Sequence, residues 1–391
     1  MKSVIYPNLS QLVKKYGKFD GRLCYNCGTC TVSCPMADET TSFPRRPIQM
    51  VHVGEKDKLI SMVEPWICHW CGDCSANCPQ KAEPGESMNT IRKYLSSVYD
   101  WTGISSIFNK YWIFKIGLYL FSIALIFGLI AYYHIKEVGI SFSDLLKMTP
   151  SEMSDSNLGH VFGTTKIMFY FTYAFFLLPL IILITNGMRM WYFTMKRNSA
   201  LKIPFSLYLS ELKNFLILGL TQKKFKECKE KSMWTRHVTL FAGFLLISII
   251  VFFFLKFFQT DAIYPIYHPQ RWLGYIATIL MLYGSTAMIL GRITKKEEIH
   301  KKSDFSDWSL PILCFLVALS GILIHIFRYV KMEKASHYMF LAHILILAPL
   351  MLKELPFGKL AHLLYHPLGL YFKGVKDRAI KMEEEKEAKV A

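Results

Sequence analysis

Four cysteines stand between residues 24 and 34 in the run CYNCGTCTVSCP, and four more between 68 and 78 in CHWCGDCSANCP. Both runs follow the pattern C-x2-C-x2-C-x3-C-P. Three thiolates three residues apart can wrap a tight loop around one corner of an iron–sulfur cube, each reaching a different iron. The fourth cysteine, carried off on the next segment, is too remote to join them; in two-cluster ferredoxins it ligates the other cluster. The spacing therefore predicts one [4Fe–4S] cluster on Cys24, Cys27, Cys30 and Cys78, and a second on Cys68, Cys71, Cys74 and Cys34. Structural zinc usually takes two ligands from each of two separated knuckles, a layout that two full runs of four do not match.

Several neighbouring residues read more plainly. Gly28 and Gly72 follow the second cysteine of each run, where a residue without a side chain lets backbone N–H groups approach sulfur. Pro35 and Pro79 turn the chain out of each loop. His52 and His69 read as surface or packing residues, because the sulfur ligands are already complete. Cys228 and Cys314 have no partner motif and read as structural.

The elements that must position these loops follow from composition. The chain of 391 residues is 52% hydrophobic and 19% charged, with a mean hydropathy of +0.25. Soluble domains carry about 25% charged residues, so lipid is expected to replace water around part of the molecule. Eight of the ten cysteines lie in the first 78 residues, and residues 1–23 lack the charged, apolar, small-residue layout of a secretory signal. The cysteine-rich part is therefore expected in the cytosol, where clustered thiols more often hold metal than form disulfides.

From residue 111 onward the pattern changes to apolar runs of about 20 residues, long enough to cross a hydrocarbon core of about 30 Å. Six are read, at roughly 112–133, 164–188, 238–258, 272–291, 309–330 and 336–355. The expected architecture is mainly α: a helical dicluster ferredoxin-like domain over 1–105, a transmembrane cytochrome b-like bundle over 106–370, and a charged tail over 371–391. Lysine and arginine gather in 189–236, 292–302 and beyond 356, but not in 134–163 or 259–271. That bias puts both termini and the cysteine loops on the cytoplasmic side of an inner membrane. It also accounts for the net charge of +17 and argues against nucleic acid as a partner. Residues 201–225 read as an interfacial or subunit-facing amphipathic helix.

Ionisable residues inside spanning helices call for a reason, and here the histidines are informative. His237 opens the third run on the inner side, level with His362. His343 lies in the outer half of the last run, 19 residues before His362; a continuous helix would separate the two by about 28 Å. Facing histidines in a dry bundle can hold a haem iron axially. The expected inner pair is His237 with His362. An outer haem would use His343 with His325, or with His160 in its place. His134, His268, His300, His337 and His366 read as loop or surface residues. Lys353, Glu354 and Lys359 read as interfacial charges.

Taken together, the paired C-x2-C-G-x-C-x3-C-P runs and a bundle ending in PFGKLAH resemble a fusion of the C and E subunits of heterodisulfide reductase. The last helix is similar to the gamma-subunit type of respiratory nitrate reductase, in which one helix gives a ligand to each of two b haems. The stretch EPWICHWCGDCSANCPQKAEPGESMNTIRKYLSSVYDWTG, residues 64–103, resembles the C-subunit family of quinone-interacting membrane-bound oxidoreductase (Qmo) complexes. The resemblance implies a protein that links membrane quinone, two b haems and two clusters to cytoplasmic flavin and iron–sulfur subunits, and through them to adenylylsulfate reductase in dissimilatory sulfur metabolism. The nitrate-reductase type places two haem histidines ten residues apart on one helix; ten residues after His237 stands Ile247. A membrane anchor carrying clusters without haem is the competing reading. A redox-driven ion pump is disfavoured, because the first four runs contain no Asp or Glu.

Overall fold

The structure, a computed structural model, describes residues 4–38, 41–133, 136, 143, 166–197, 203–258 and 264–390. Among these residues the secondary structure is helical, apart from an isolated bridge between Asp38 and Thr41. Six helices are long and apolar enough to cross a membrane: Trp112–Tyr132, Tyr170–Lys196, Lys231–Phe253, Pro269–Thr294, Phe305–Tyr329 and Lys334–Phe357. The chain is thus a helical dicluster domain followed by a polytopic helix bundle.

The N-terminal part is built on α1 (Leu9–Lys14), α2 (Arg45–His52) and α3 (Pro84–Tyr99). Pro84 starts α3 without loss, since the first turn of a helix leaves its N–H unpaired in any case. The bundle follows as α4 (Trp112–Tyr133), α5 (Lys166–Trp191), α6 (Phe205–Thr221), α7 (Lys231–Phe253), α8 (Pro269–Thr294), α9 (Phe305–Tyr329), α10 (Glu333–Pro349) and α11 (His362–Val390). Neighbours run α7, α8, α9, α10 and α4 in sequence, while α5 packs on α11 and on the segment after α10. Gly243 on α7 and Gly284 on α8 bring these two helices together. A Cβ on Gly284 would stand 2.7 Å from Leu240, and one on Gly243 would stand 2.9 Å from the Ala277 carbonyl. Small residues at such crossings are how helices approach where lipid removes the hydrophobic drive to associate.

Outside these seams the spanning helices present large apolar side chains such as Leu120, Phe121, Leu178, Phe253 and Ile279 to their surroundings. A surface of that kind is stable against acyl chains and a liability in water.

Two elements differ from the sequence expectation. Residues 343 to 362 do not form one helix: α10 stops at Pro349, a π-helical segment covers Leu350–Glu354, and Gly358 breaks the path before α11. The rise of a continuous helix therefore does not apply between His343 and His362. Beyond residue 370, α11 continues unbroken, and Phe372, Val375 and Ala379 are buried. Against α11 lies α6, whose other face keeps Leu209, Leu212, Leu216 and Leu220 exposed.

One continuous core joins the two halves, running from Leu9 and Val13 through Trp66, Ile67 and Tyr99 to Leu355, Tyr365 and Val375. Trp66 is its hinge pin. Its ring lies 4.8 Å from that of Tyr365 and 6.1 Å from that of Tyr99, and each such pair adds about 0.5–1.5 kcal/mol beyond area burial.

Candidate functional site

Each cysteine loop closes into a single helical turn, Thr29–Val32 in the first and Asp73–Ala76 in the second. Gly28 and Gly72 cap these turns at φ +87° and +90°, a left-handed conformation that glycine adopts without the Cβ penalty. The turns bring the sulfurs together. One small cavity is lined by Cys24, Cys27, Cys30 and Cys78, and a second by Cys34, Cys68, Cys71 and Cys74. Three ligands of each set come from one loop, and the fourth crosses from the other run.

Backbone N–H groups already serve these sulfurs: Trp70 donates to Cys68 at 3.3 Å and Ala82 to Cys78 at 3.4 Å. All ten cysteines are free thiols. Burial, helped by the neighbouring Cys68, pushes the Cys34 thiol up to about 12. Burial likewise raises Cys68 and Cys74, while Cys71 is lowered, and metal binding to such thiols displaces their protons. Four sulfurs around a closed cavity, with N–H donors aimed at them, fit a [4Fe–4S] cluster.

Beneath the second cage lies a cavity of about 250 Å³ lined by Cys68 together with His69, His237, His362 and His366. The rings of His237 and His362 stand 5.7 Å apart, and those of His69 and His366 stand 4.8 Å apart. His362 Nδ1 faces the Lys359 carbonyl at 2.5 Å, and His366 Nδ1 faces the Trp66 carbonyl at 2.5 Å. A carbonyl only accepts, so the proton sits on Nδ1 in both rings and leaves Nε2 with a free lone pair. His237 Nδ1 meets Gln222 Oε1 at 2.6 Å, with the same consequence. Such second-ring hydrogen bonds fix the tautomer of a metal-binding histidine. Burial holds His362 down to about 4, and burial reinforced by His237 holds His69 down to about 3, so both are neutral at physiological pH.

Apolar residues including Leu240, Phe244, Leu310 and Leu363 line the same space, with Arg92, Arg236 and Arg292. The Arg292 Nε is buried without a partner. Two imidazoles with free Nε2, apolar walls and the unpartnered Nε of Arg292 fit a haem with its two carboxylates.

The outer histidines are arranged differently. His343 Nδ1 faces Ser320 Oγ at 2.8 Å, while His325 Nε2 faces the Tyr275 hydroxyl at 2.6 Å. Ser320 and His325 are five residues apart on α9, which is about 7.5 Å along the axis. His160 and His134 lie outside the described residues.

Three single-residue expectations need correction, at His366, His300 and Glu354, and two more residues gain a placement. His69, read as a surface or packing residue, packs on Phe225 and faces the cavity; His366, read as a loop or surface residue, faces it too. His300 is buried and paired with Glu297. Cys228 stands at the second cage, its sulfur within 4.8 Å of the donor atoms of Cys71 and Asp73. Glu354 is no interfacial charge. It is 0% exposed and pairs with Lys115, 1% exposed, at 2.6 Å, while the Tyr119 and Ser309 hydroxyls and the Lys359 amide also donate to it. Lys359 continues to Asp307, and Lys93 meets Asp304 at 2.5 Å. One signal in the sequence marks this network: Lys115 and Glu354 both fall inside apolar runs, where a charge is costly unless paired.

The family described as "4Fe-4S dicluster domain" matches residues 21–82. Over 66 residues the chain is 37% identical to the C subunit of the H(2):CoB-CoM heterodisulfide,ferredoxin reductase of Methanothermobacter thermautotrophicus, and equally to that of Methanothermobacter marburgensis. The match covers 17% of this chain and 36% of each relative. The chain thus spans about a third of the length of the curated relatives it matches. No solved structure matches. The N-terminal region is an iron–sulfur electron-transfer domain related to the C subunit of heterodisulfide reductase, and a membrane helix bundle follows it.

Proposed function

We propose that this chain is the membrane electron-transfer subunit of a quinone-interacting oxidoreductase complex. The observation that carries the reading is the shared cavity: Cys68 of the second cage and the His237–His362 pair line one space. Cys24, Cys27, Cys30 and Cys78 hold the first cluster, and Cys34, Cys68, Cys71 and Cys74 the second. His237 and His362 would hold an inner b haem, with Arg292 beside them for its carboxylates and Arg236 already paired with Glu297. When bound, these groups supply one-electron carriers in series from the bilayer to the cytoplasmic surface.

The protein's own part is to hold them close, keep water out with the apolar bundle, and bring protons to the quinone. For protons, the buried Glu354–Lys115 pair and the Lys359–Asp307 and Lys93–Asp304 pairs form a polar line that reaches the partly exposed Asp304 carboxylate. An outer haem would take His343, with His325 or His160 as its second ligand; in the structure His325 is engaged by the Tyr275 hydroxyl. Functionally, residues 1–105 form the cluster unit and 106–370 the bundle. Cytoplasmic flavin and iron–sulfur subunits are the partners, and the link to menaquinone and adenylylsulfate reductase rests on the family resemblance.

Purification from native membranes, with counts of haem, non-haem iron and sulfide, tests the reading. Two clusters require about eight non-haem irons and eight sulfides, together with sharp dithionite-reduced b-haem bands. His237→Ala and His362→Ala should each remove the same low-spin haem signal. A broad iron–sulfur spectrum without haem bands would leave an anchor that carries clusters alone.

A further inference from the structure

The loop from the end of α6 to the start of α7 touches both redox sites. At one end, Gln222 holds His237 Nδ1 at 2.6 Å. In the middle, Phe225 stacks on His69 at 5.0 Å and meets His237 edge-on at 5.8 Å. At the other end, Cys228 is 2% exposed and lines the second sulfur cavity beside Cys34, Cys68, Cys71 and Cys74. The backbone is pinned there, because the Lys229 amide donates to Asp73 Oδ2 of the cage loop at 3.0 Å. Five cysteines thus surround a cavity whose cluster has only four irons to offer thiolates.

We propose that the Gln222–Cys228 segment is a redox-tuning strap, in which Cys228 remains a protonated thiol and donates an S–H hydrogen bond to the cluster-bound sulfur of Cys71. Metal-bound Cys71 is a thiolate and only accepts, so the hydrogen in this contact belongs to Cys228. Reduction of the second cluster adds one negative charge, part of which falls on the thiolate sulfurs. A hydrogen donor aimed at one of them favours the reduced form and raises the potential, as hydrogen bonds to cluster sulfurs do. The first cage has no fifth cysteine among its lining residues; there the Thr29 hydroxyl stands 3.4 Å from Cys27 Sγ. The strap therefore holds the second cluster, the one beside the haem cavity, at a higher potential than it would have without Cys228. Cys228 acts as a positioning and tuning residue and is not itself a ligand.

The inference rests on the cages holding clusters, and the test separates the two. In the purified full-length protein with its native partners, iron and sulfide are counted first, and both clusters are then titrated by EPR against potential. The second cluster is recognised by loss of its signal in Cys74→Ser. Cys228→Ala should keep both clusters and lower the second midpoint by about threefold to tenfold in the reduced-to-oxidised ratio, tenfold being 59 mV for one electron. The first midpoint should not move. Cys228→Ser, which keeps a donor, should shift less than Cys228→Ala. Unchanged midpoints in a protein with both clusters would overturn the strap alone, as would loss of the second cluster in Cys228→Ala, which would make Cys228 a ligand. A wild-type protein without two clusters would overturn the cages and the strap together.

Discussion

Cys34 belongs by sequence to the first run and by position to the second cavity, where Cys68, Cys71 and Cys74 surround it. The exchange follows from one helical turn: residues 29–32 rotate the chain so that Cys30 faces back and Cys34 forward. Cys34→Ser should therefore disturb the EPR signal of the cluster on Cys68, Cys71 and Cys74, while the other stays intact; the opposite loss would refute the crossed ligation. A second residue responds to pH. Glu86 on α3 is buried. Burial, then the charges of Asp307 and Asp304, outweigh Lys359 and Lys93 and raise its carboxyl from 4.5 to about 7. The unfolded chain ionises near 4.5, so the folded state loses stability as pH rises from there to about 7, and the full penalty stands above that. Glu86→Gln should then stabilise the protein by about 2–3 kcal/mol above pH 7 and have little effect near pH 4.5. Thermal unfolding in detergent at pH 5 and pH 8 reads the difference, and equal effects at both would sink the assignment.

Among the elements, the π-helical segment Leu350–Glu354 does the positioning. A π turn adds one residue to a helical circuit and often marks a functional site; here it puts Glu354 against Lys115 of α4. Both side chains are sealed from water and lipid, so removing either partner leaves a lone buried charge. Lys115→Met is expected to cost about 3–5 kcal/mol, and Glu354→Leu about as much, whereas the double variant should recover most of the loss. Unfolding midpoints of the three proteins in one detergent decide it. Additive losses in the double variant would mean that the two charges do not depend on each other. At the start of α9, Asp304 and Asp307 form a reciprocal capping box, and both also carry the polar line through Lys93 and Lys359. The helix start and these ion pairs thus share the same two carboxylates.

On the scale of the whole molecule, the cages, the four-histidine cavity and the basic segments gather at one end. The spanning helices present apolar side chains such as Leu120, Phe121 and Phe253 to their surroundings. Insertion follows the lysine and arginine bias, which is expected to place that end in the cytosol. A cysteine at Ser143 should react with a membrane-impermeant thiol reagent added to intact cells, and one at the exposed Glu227 should not. The reverse pattern would put the cages outside and remove the cytoplasmic partners from the account.

The sequence alone determined what depends on neighbours a few residues apart. Ligand spacing in the cysteine runs, the lengths of six apolar helices and the side on which basic residues gather are all local patterns, and the six spans stand within about eight residues of their expected ends. The surroundings of Glu354, His69 and Cys228 were not legible in the sequence for a single reason, and of the three only the interfacial reading of Glu354 is overturned. Each is defined by a partner far away in the chain: Lys115 lies 239 residues before Glu354, His237 lies beyond His69 across the cavity, and Cys71 meets Cys228 only after two domains pack. A charge or thiol at a helix end looks the same in sequence whether water or a partner awaits it. Only tertiary packing decides which, because burial makes pairing compulsory and exposure leaves it optional.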